Sequence, residues 1–152
     1  MLRFSKKADY ALIAMKHLAL RGEQATSARE IAEQYGIPVE LMAKVLQRLA
    51  RRGLLVSSQG TRGGYKLSRS PRLMSVADVI QAIDGPVTVT ACSTTDEQCE
   101  QYATCNVRDP LWRIKERIVA ALGTCSISEL AADPPEPPAG RGAHAAVWHS
   151  PV

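Results

Sequence analysis

Three of the chain's four cysteines stand close together, at Cys92, Cys99 and Cys105. Their spacing, C-x6-C-x5-C, puts three thiols within fourteen residues of a segment that has no helical periodicity. A flexible segment lets thiolates converge on more than one metal ion, and thiolate sulfur suits both iron–sulfur clusters and zinc. The C-x2-C pair that is typical of structural zinc does not occur in the sequence. The pattern therefore favours metal binding over incidental thiols, and it leaves cluster and zinc both open.

The start of the chain does not fit a secretory signal. Asp9, Lys16 and His17 interrupt any apolar core there, and no apolar run approaches the ~20 residues of a membrane span. We therefore expect a cytoplasmic protein without a membrane partner, in which metal or redox chemistry is a better use of cysteine than a disulfide framework. The fourth cysteine, Cys125, is expected to be a small buried hydrophobe rather than a ligand.

Charge divides the chain into two halves. Residues 1–72 hold 14 Lys and Arg against 5 acids, a net +9, whereas residues 73–152 hold 5 against 10, a net −5. A basic half joined to an acidic half favours a polyanion-binding module followed by a module with another task.

The basic half has the pattern of a helix-turn-helix. Ser5 is expected to cap a first helix that runs to about Leu20. Ser27 and Glu30 form a capping-box pattern that opens a short second helix, and Pro38 suits the first turn of a third. The buried stripe predicted for this third helix is Leu41, Val45 and Leu49, flanked by Met42 and Leu46. The residues predicted for its outer face are Lys44, Gln47, Arg48 and Arg51.

The period then changes to that of a hairpin. Residues 54–58 and 65–68 alternate like strands, and the glycine-rich turn 60–64 between them carries Arg62 at its tip. This predicts a wing beside the third helix. Ser75 is expected to cap a further helix that ends near Ile83.

A second helical region follows the cysteines. Asp109 and Pro110 predict a helix start, as N-cap and first helical residue. The apolar stripe of this helix consists of Leu111, Ile114, Ile118 and Leu122, widened by Trp112 and Val119. One modest winged-helix core cannot cover so much apolar surface, so we interpret the helix as a dimer seam, with ordinary packing on its own core as the alternative. Five prolines in the final nineteen residues predict a disordered tail.

Two stretches of the chain and the three cysteines resemble a known family. The stretches FSKKADYALIAMKHLAL and REIAEQYGIPVELMAKVLQRLARRGLLVSSQGTRGGYKLSR, followed by three cysteines before a long helix, resemble the iron–sulfur winged-helix regulators of the IscR/NsrR/RirA family. The resemblance covers residues 1 to about 132. It implies a homodimer, a DNA-reading helix at 38–52, a wing at 60–64, and a 2Fe–2S or 4Fe–4S cluster held by Cys92, Cys99 and Cys105.

The chain lacks the residue that is the fourth cluster ligand in one branch of that family. The IscR-like branch has a histidine three residues after the last cysteine, where this chain has Arg108. In NsrR-like members an aspartate of the partner subunit's first helix is a ligand, and Asp9 matches that place. The alternative is that Asp9 complements the helix N-terminal dipole. His17 is expected to lie on a helix surface.

These observations predict a winged helix-turn-helix protein that is mainly α, with a small β-hairpin wing and a long dimerisation helix. The predicted parts are a DNA-binding domain at 1–86, a cluster loop at 87–106, the dimerisation helix and a short C-terminal helix at 107–132, and a Pro/Gly-rich tail at 133–152. Double-stranded DNA is the expected partner. Arg48, Arg51 and Lys66 are expected to contact phosphates, and Lys44, Gln47 and Arg62 to reach base edges.

The function so predicted is that of a DNA-binding repressor, not an enzyme, whose operator binding depends on the cluster. From the resemblance, its targets are iron–sulfur assembly genes. The alternatives are a nitric-oxide- or iron-responsive regulator of the same family, or a zinc or thiol switch without a cluster. An electron carrier ranks lower, because the chain combines a full DNA-binding module with no C-x-x-C redox pair.

Overall fold

The computed structural model describes residues 3–88, 100, 101 and 103–132. Within them the chain forms α1 (Lys6–Arg21), α2 (Ala28–Tyr35), α3 (Val39–Arg51), β1 (Leu55–Ser58), β2 (Gly64–Leu67), α4 (Val76–Asp84), α5 (Arg108–Thr124) and α6 (Ile127–Ala131). A short 3-10 turn, Pro71–Leu73, joins β2 to α4. The predicted fold class, mainly α with an antiparallel two-stranded wing, is confirmed. Cys92, Cys99 and the predicted tail lie outside the described residues.

Local capping explains where the helices begin. The Ser27 hydroxyl accepts a hydrogen bond from the Glu30 amide at 3.2 Å, and the Glu30 carboxylate accepts one from the Ser27 amide at 2.8 Å. The predicted capping box is confirmed. The hydrogen bond from the Ser27 amide, helped by the Ser27 side chain, favours the ionised carboxylate and so lowers the pKa of the Glu30 carboxyl below its ordinary value. Ser75 and Ser126 make the same box at the starts of α4 and α6.

The start of α5 differs from the prediction. Its N-cap is Val107, with no side-chain cap, and the helix begins at Arg108. Asp109 therefore lies inside the first turn, where its carboxylate accepts a hydrogen bond from Arg108 Nε at 3.0 Å and complements the helix dipole. Pro110 is tolerated there because first-turn amides have no partner within the helix.

α1 lies in the middle of the core and contacts α3, α4 and α6. Its buried face is dominated by small residues, which allow the neighbouring helices to approach closely. These buried residues include Ala8, Ala11, Ala14, Met15 and Leu18, each 0% exposed. α6 closes the other side with the fully buried Ile127.

A short backbone bridge attaches the end of α5 to the start of α4. The Val76 amide donates to the Cys125 carbonyl at 2.9 Å, and the Ile127 amide donates to the Met74 carbonyl at 2.8 Å. Cys125 itself is half-buried against the core. The chain beyond the cysteines is thus anchored on the DNA-binding half.

The wing is attached to the start of α2. β1 and β2 pair antiparallel, with Val56 opposite Lys66, and Tyr65 exchanges two backbone hydrogen bonds with Thr26 at 2.8 and 3.0 Å. Gly64 makes this contact possible. A Cβ there would lie 2.5 Å from the Thr26 carbonyl carbon, and its φ of +155° is one that side chains rarely adopt.

His17 lies in the core, so its prediction as a surface residue is wrong. The side chain is only 4% exposed, and the ring of Tyr35, at the end of α2, lies edge-on against it. His17 Nδ1 lies 3.1 Å from the Tyr35 hydroxyl, while Nε2 has no hydrogen-bond partner among the described atoms. Burial, helped by the charge of Arg21 and opposed by Glu30, lowers the pKa of His17 below its ordinary 6.5.

This burial predicts a stability that depends on pH. Below about pH 6.5 the unfolded chain takes up a proton at His17 that the native state resists, so the free energy of unfolding should fall as pH drops through that value. Above it the stability should be constant with respect to this group. Urea unfolding at pH 7.5 and 5.5 should therefore show a smaller difference for His17→Gln than for the wild type. An equal difference in both proteins would contradict the assignment.

Candidate nucleic-acid interface and metal centre

α3 presents a polar face that its buried face holds in place. Met42, Val45, Leu46 and Leu49 are buried, whereas Leu41 is only half-buried, so the core stripe is centred one residue later than predicted. The four residues of the predicted outer face are all exposed: Lys44, Gln47, Arg48 and Arg51. A helix anchored on one face and polar on the other can enter a major groove without losing its packing.

The turn before α3 is tight. Gly36 ends α2 in the left-handed conformation at φ 63°, and the Ile37 amide donates to the Ala32 carbonyl at 2.9 Å. Pro38 is the N-cap of α3 rather than its first residue, and its carbonyl accepts from the Met42 amide at 3.0 Å. α2 and α3 are thereby joined as in a helix-turn-helix.

Two of the predicted DNA contacts already have partners within the chain. Arg48 Nε donates to the Ala82 carbonyl at 2.9 Å, which ties α3 to α4 and uses one of the guanidinium's donors. Lys66 Nζ lies 2.9 Å from Glu23 in an ion pair at the surface. Exposed pairs of this kind contribute little stability, so an incoming phosphate can compete with Glu23 for Lys66. Arg62 stands exposed in the turn of the wing.

The structure places two of the four predicted metal ligands. Cys105 is a half-buried free thiol three residues before α5, and Asp9 is exposed on the first turns of α1. Cys92 and Cys99 lie outside the described residues. Within the described part, no three His, Cys, Asp or Glu side chains converge as a metal site. As a donor set, three thiols and a carboxylate fit an iron–sulfur cluster in their chemistry.

Asp9 lines a groove together with the last described residues before the cysteine segment. The groove has a volume of about 660 Å³ and lies between the start of α1 and the end of α4. Val87 and Thr88, the last described residues before that segment, line its wall beside Asp9. Asp9 is therefore close to where the chain departs toward Cys92.

One basic pair was not assigned a role by the sequence. Lys6 and Lys7, counted there only toward net charge, line a groove together with Lys44 and Arg51 of α3. Their adjacency is visible in the sequence, but their nearness to α3 depends on the packing of α1.

No helix in the described part of the chain is long and apolar enough to cross a membrane.

Comparison with known proteins gives one consistent family. The Rrf2 family, described as "Iron-dependent Transcriptional regulator", matches residues 4–133. A regulator named IscR from Xenorhabdus nematophila is 35% identical over 131 residues, which cover 85% of this chain and 79% of that protein. The transcriptional repressor NsrR of Streptomyces coelicolor is 30% identical over 138 residues, covering 90% and 93%.

A solved structure agrees with this. CymR, the global cysteine regulator of B. subtilis, superposes with a TM-score of 0.70 at 29% identity, covering 86% of this chain and 97% of that one. The relatives named IscR and NsrR are transcriptional regulators and not enzymes.

Proposed function

Because this chain belongs to the Rrf2 family of transcriptional regulators, we propose that it is a homodimeric repressor whose operator binding depends on an iron–sulfur cluster. The observation that carries the DNA-binding part of the proposal is the exposed polar face of α3, held by a buried face and flanked by a wing. The proposed targets are iron–sulfur assembly genes, as the family resemblance of the sequence implies.

α3 reads the operator in this proposal. Lys44 and Gln47 are the first two of the four residues on the exposed face of α3 and are the proposed contacts to base edges, and Arg62 adds a contact from the wing. Arg51 and Lys66 bind phosphates. Arg48 is held against the Ala82 carbonyl by its Nε, so its remaining guanidinium donors are presented to phosphate from a fixed position.

α5 supports the dimer. In the described structure none of its residues is buried, and Trp112 and Ile114 remain 48% and 46% exposed. Val119 and Leu122 pack on the chain's own core, whereas exposed apolar side chains such as Trp112 and Ile114 are stabilised when a second copy covers them. A two-fold dimer then places two α3 helices on half-sites about one helical turn apart.

Cys92, Cys99 and Cys105 are the proposed cluster ligands, with Asp9 of the partner subunit as the fourth. When bound, the cluster supplies a redox-active and oxygen- or nitric-oxide-sensitive centre. Cys105 joins the cysteine segment to the start of α5, and the partner's Asp9 would connect it to the first helix of the partner subunit. α1 packs on α3 within each chain. Loss of the bond to the partner's Asp9 would therefore change the position of α3 in the partner subunit.

A thiol or zinc switch is the competing function, favoured by the likeness to a protein named a cysteine regulator. An anaerobic absorption spectrum of freshly purified protein separates the two. Visible charge-transfer bands with bound iron and sulfide support the cluster. A colourless protein that contains zinc, or that changes its DNA binding on thiol oxidation, supports the switch.

DNA reading is tested by Lys44→Ala and Gln47→Ala. Each should weaken operator binding by about 1–3 kcal/mol and random-DNA binding much less, because base contacts carry the sequence discrimination. Titrations on both DNAs measure the difference. Gln81→Ala, which removes an exposed glutamine from α4, is the matched control. Equal losses on operator and random DNA would show that this face contacts only phosphates.

A further inference from the structure

A groove between α1, α3 and the end of α4 collects basic side chains from two helices. It has a volume of about 910 Å³, and Leu41, Val45 and Ile83 line its apolar part. Its basic lining residues are Lys6, Lys7, Lys44, Arg48, Arg51 and Arg52. Lys6 and Lys7, from the first turn of α1, are both exposed.

These six basic residues outnumber the acid that lines the groove, Asp84. The Asp84 carboxylate accepts hydrogen bonds from the Ser5 amide at 2.8 Å and the Ser5 hydroxyl at 2.5 Å, and it makes no ion pair with a lysine or arginine of the described residues. No ion pair involves Lys6 or Lys7 among the described residues, in contrast to Lys66 with Glu23. Clustered like charges repel one another, and a bound polyanion relieves that repulsion.

We infer that this groove binds the sugar–phosphate backbone of DNA, with Lys6 and Lys7 as phosphate contacts. The inference rests on the proposed function, since it places the backbone next to the major groove that α3 enters. Lys44 connects the two surfaces because it lies on the exposed face of α3 and also lines this groove. The helix dipole of α1 adds partial positive charge at the same end.

A chain of phosphates fits the groove better than a single anion. Six basic residues are more than one phosphate, with at most two negative charges, can neutralise. They are also spread over two helices, so one small ion would contact only a few of them. Successive backbone phosphates of one DNA strand can instead be shared between α1 and α3.

The test is the salt dependence of DNA binding. Each phosphate contact contributes about −0.9 to the slope of log affinity against log salt. The double variant Lys6→Ala/Lys7→Ala should therefore have a slope smaller in magnitude by about 1 to 2. Because phosphates carry no sequence, operator and random DNA should weaken by similar factors. Lys6→Arg/Lys7→Arg should restore both the affinity and the slope.

The matched control is Arg72→Ala/Arg117→Ala, which removes two exposed charges from residues that do not line the groove. It should keep the wild-type slope to within the error of the titration. A Lys6→Ala/Lys7→Ala protein with the wild-type slope and affinity would overturn the inference. The inference would also be overturned if inorganic phosphate bound the groove while the Lys6→Ala/Lys7→Ala variant kept the wild-type salt slope. The groove would then bind a free anion and not the DNA backbone.

Failure of the proposed function gives a different result. In that case the wild type itself would not distinguish operator from random DNA. If the wild type prefers its operator and the Lys6→Ala/Lys7→Ala variant has the same affinity and salt slope, the proposed function stands. The groove is then not a contact to the DNA backbone. Circular dichroism of each variant confirms folding, which two exposed lysines are not expected to affect.

Discussion

A Trp112→Glu/Ile114→Glu variant is expected to be monomeric and to bind operator DNA about 100- to 10,000-fold more weakly than the wild type. Both side chains are about half exposed in the single chain, so carboxylates there cost little in the isolated fold. In a dimer they would bury charge within an apolar seam. The two α3 helices would then bind their half-sites independently and lose the advantage of linkage. Sedimentation equilibrium and operator titration measure the two effects.

Leu20→Glu is the matched control for this variant. Leu20 is 65% exposed on α1, more than either α5 residue, and it lies outside the apolar stripe of α5. It should remain dimeric with operator affinity close to that of the wild type. If the α5 variant keeps the mass of a dimer, another surface must hold the two copies together.

The second large effect is expected at Cys105. Cys105→Ala should lose cluster affinity by at least about 10-fold, since even partners beyond the direct ligands change metal affinity by 10–100-fold. Asp9→Ala should assemble some cluster with an altered spectrum, because three thiolates remain and an oxygen ligand binds iron less firmly. Anaerobic absorption together with iron and sulfide analysis measures both.

Cys125→Ala is the control for the cysteine series. Its thiol is half-buried against the core at the end of α5, so replacement should cost some stability but leave the cluster intact. Cluster loss in Cys125→Ala with retention in Cys105→Ala would reverse the ligand assignment. An Asp9→Ala protein that matches the wild type in spectrum and DNA response would make Asp9 a helix-end charge only.

The features that could be predicted from the sequence are those that local interactions decide. Ser27 and Glu30 are three residues apart, and their capping box formed as predicted. The alternating stretches around Arg62 formed the hairpin with boundaries displaced by one residue. The start of α5 was misplaced because the Asp-Pro pair suits the inside of a first turn as well as its edge.

The features that were missed depend on tertiary packing. His17 is buried and contacts Tyr35, which is eighteen residues away in the sequence. The bond from Arg48 to the Ala82 carbonyl spans 34 residues, and that from Lys66 to Glu23 spans 43. The approach of Lys6 and Lys7 to α3 is of the same kind. The periodicity within one helix does not indicate which distant residues will contact that helix.

The backbone bridge that attaches the end of α5 to the start of α4 also determines which end of α5 is held in place. α5 is fixed at its C-terminal end, where Val119 and Leu122 pack on the core, whereas the described apolar residues of 107–118 do not join that core. A helix of 17 residues is about 25 Å long. A pivot of about 10° at the fixed end would move the Cys105 end by about 4 Å, close to the ~3.4 Å rise of one base step along DNA. In the proposed dimer a second copy covers this half of α5, so such a pivot would have to carry both copies of the helix together.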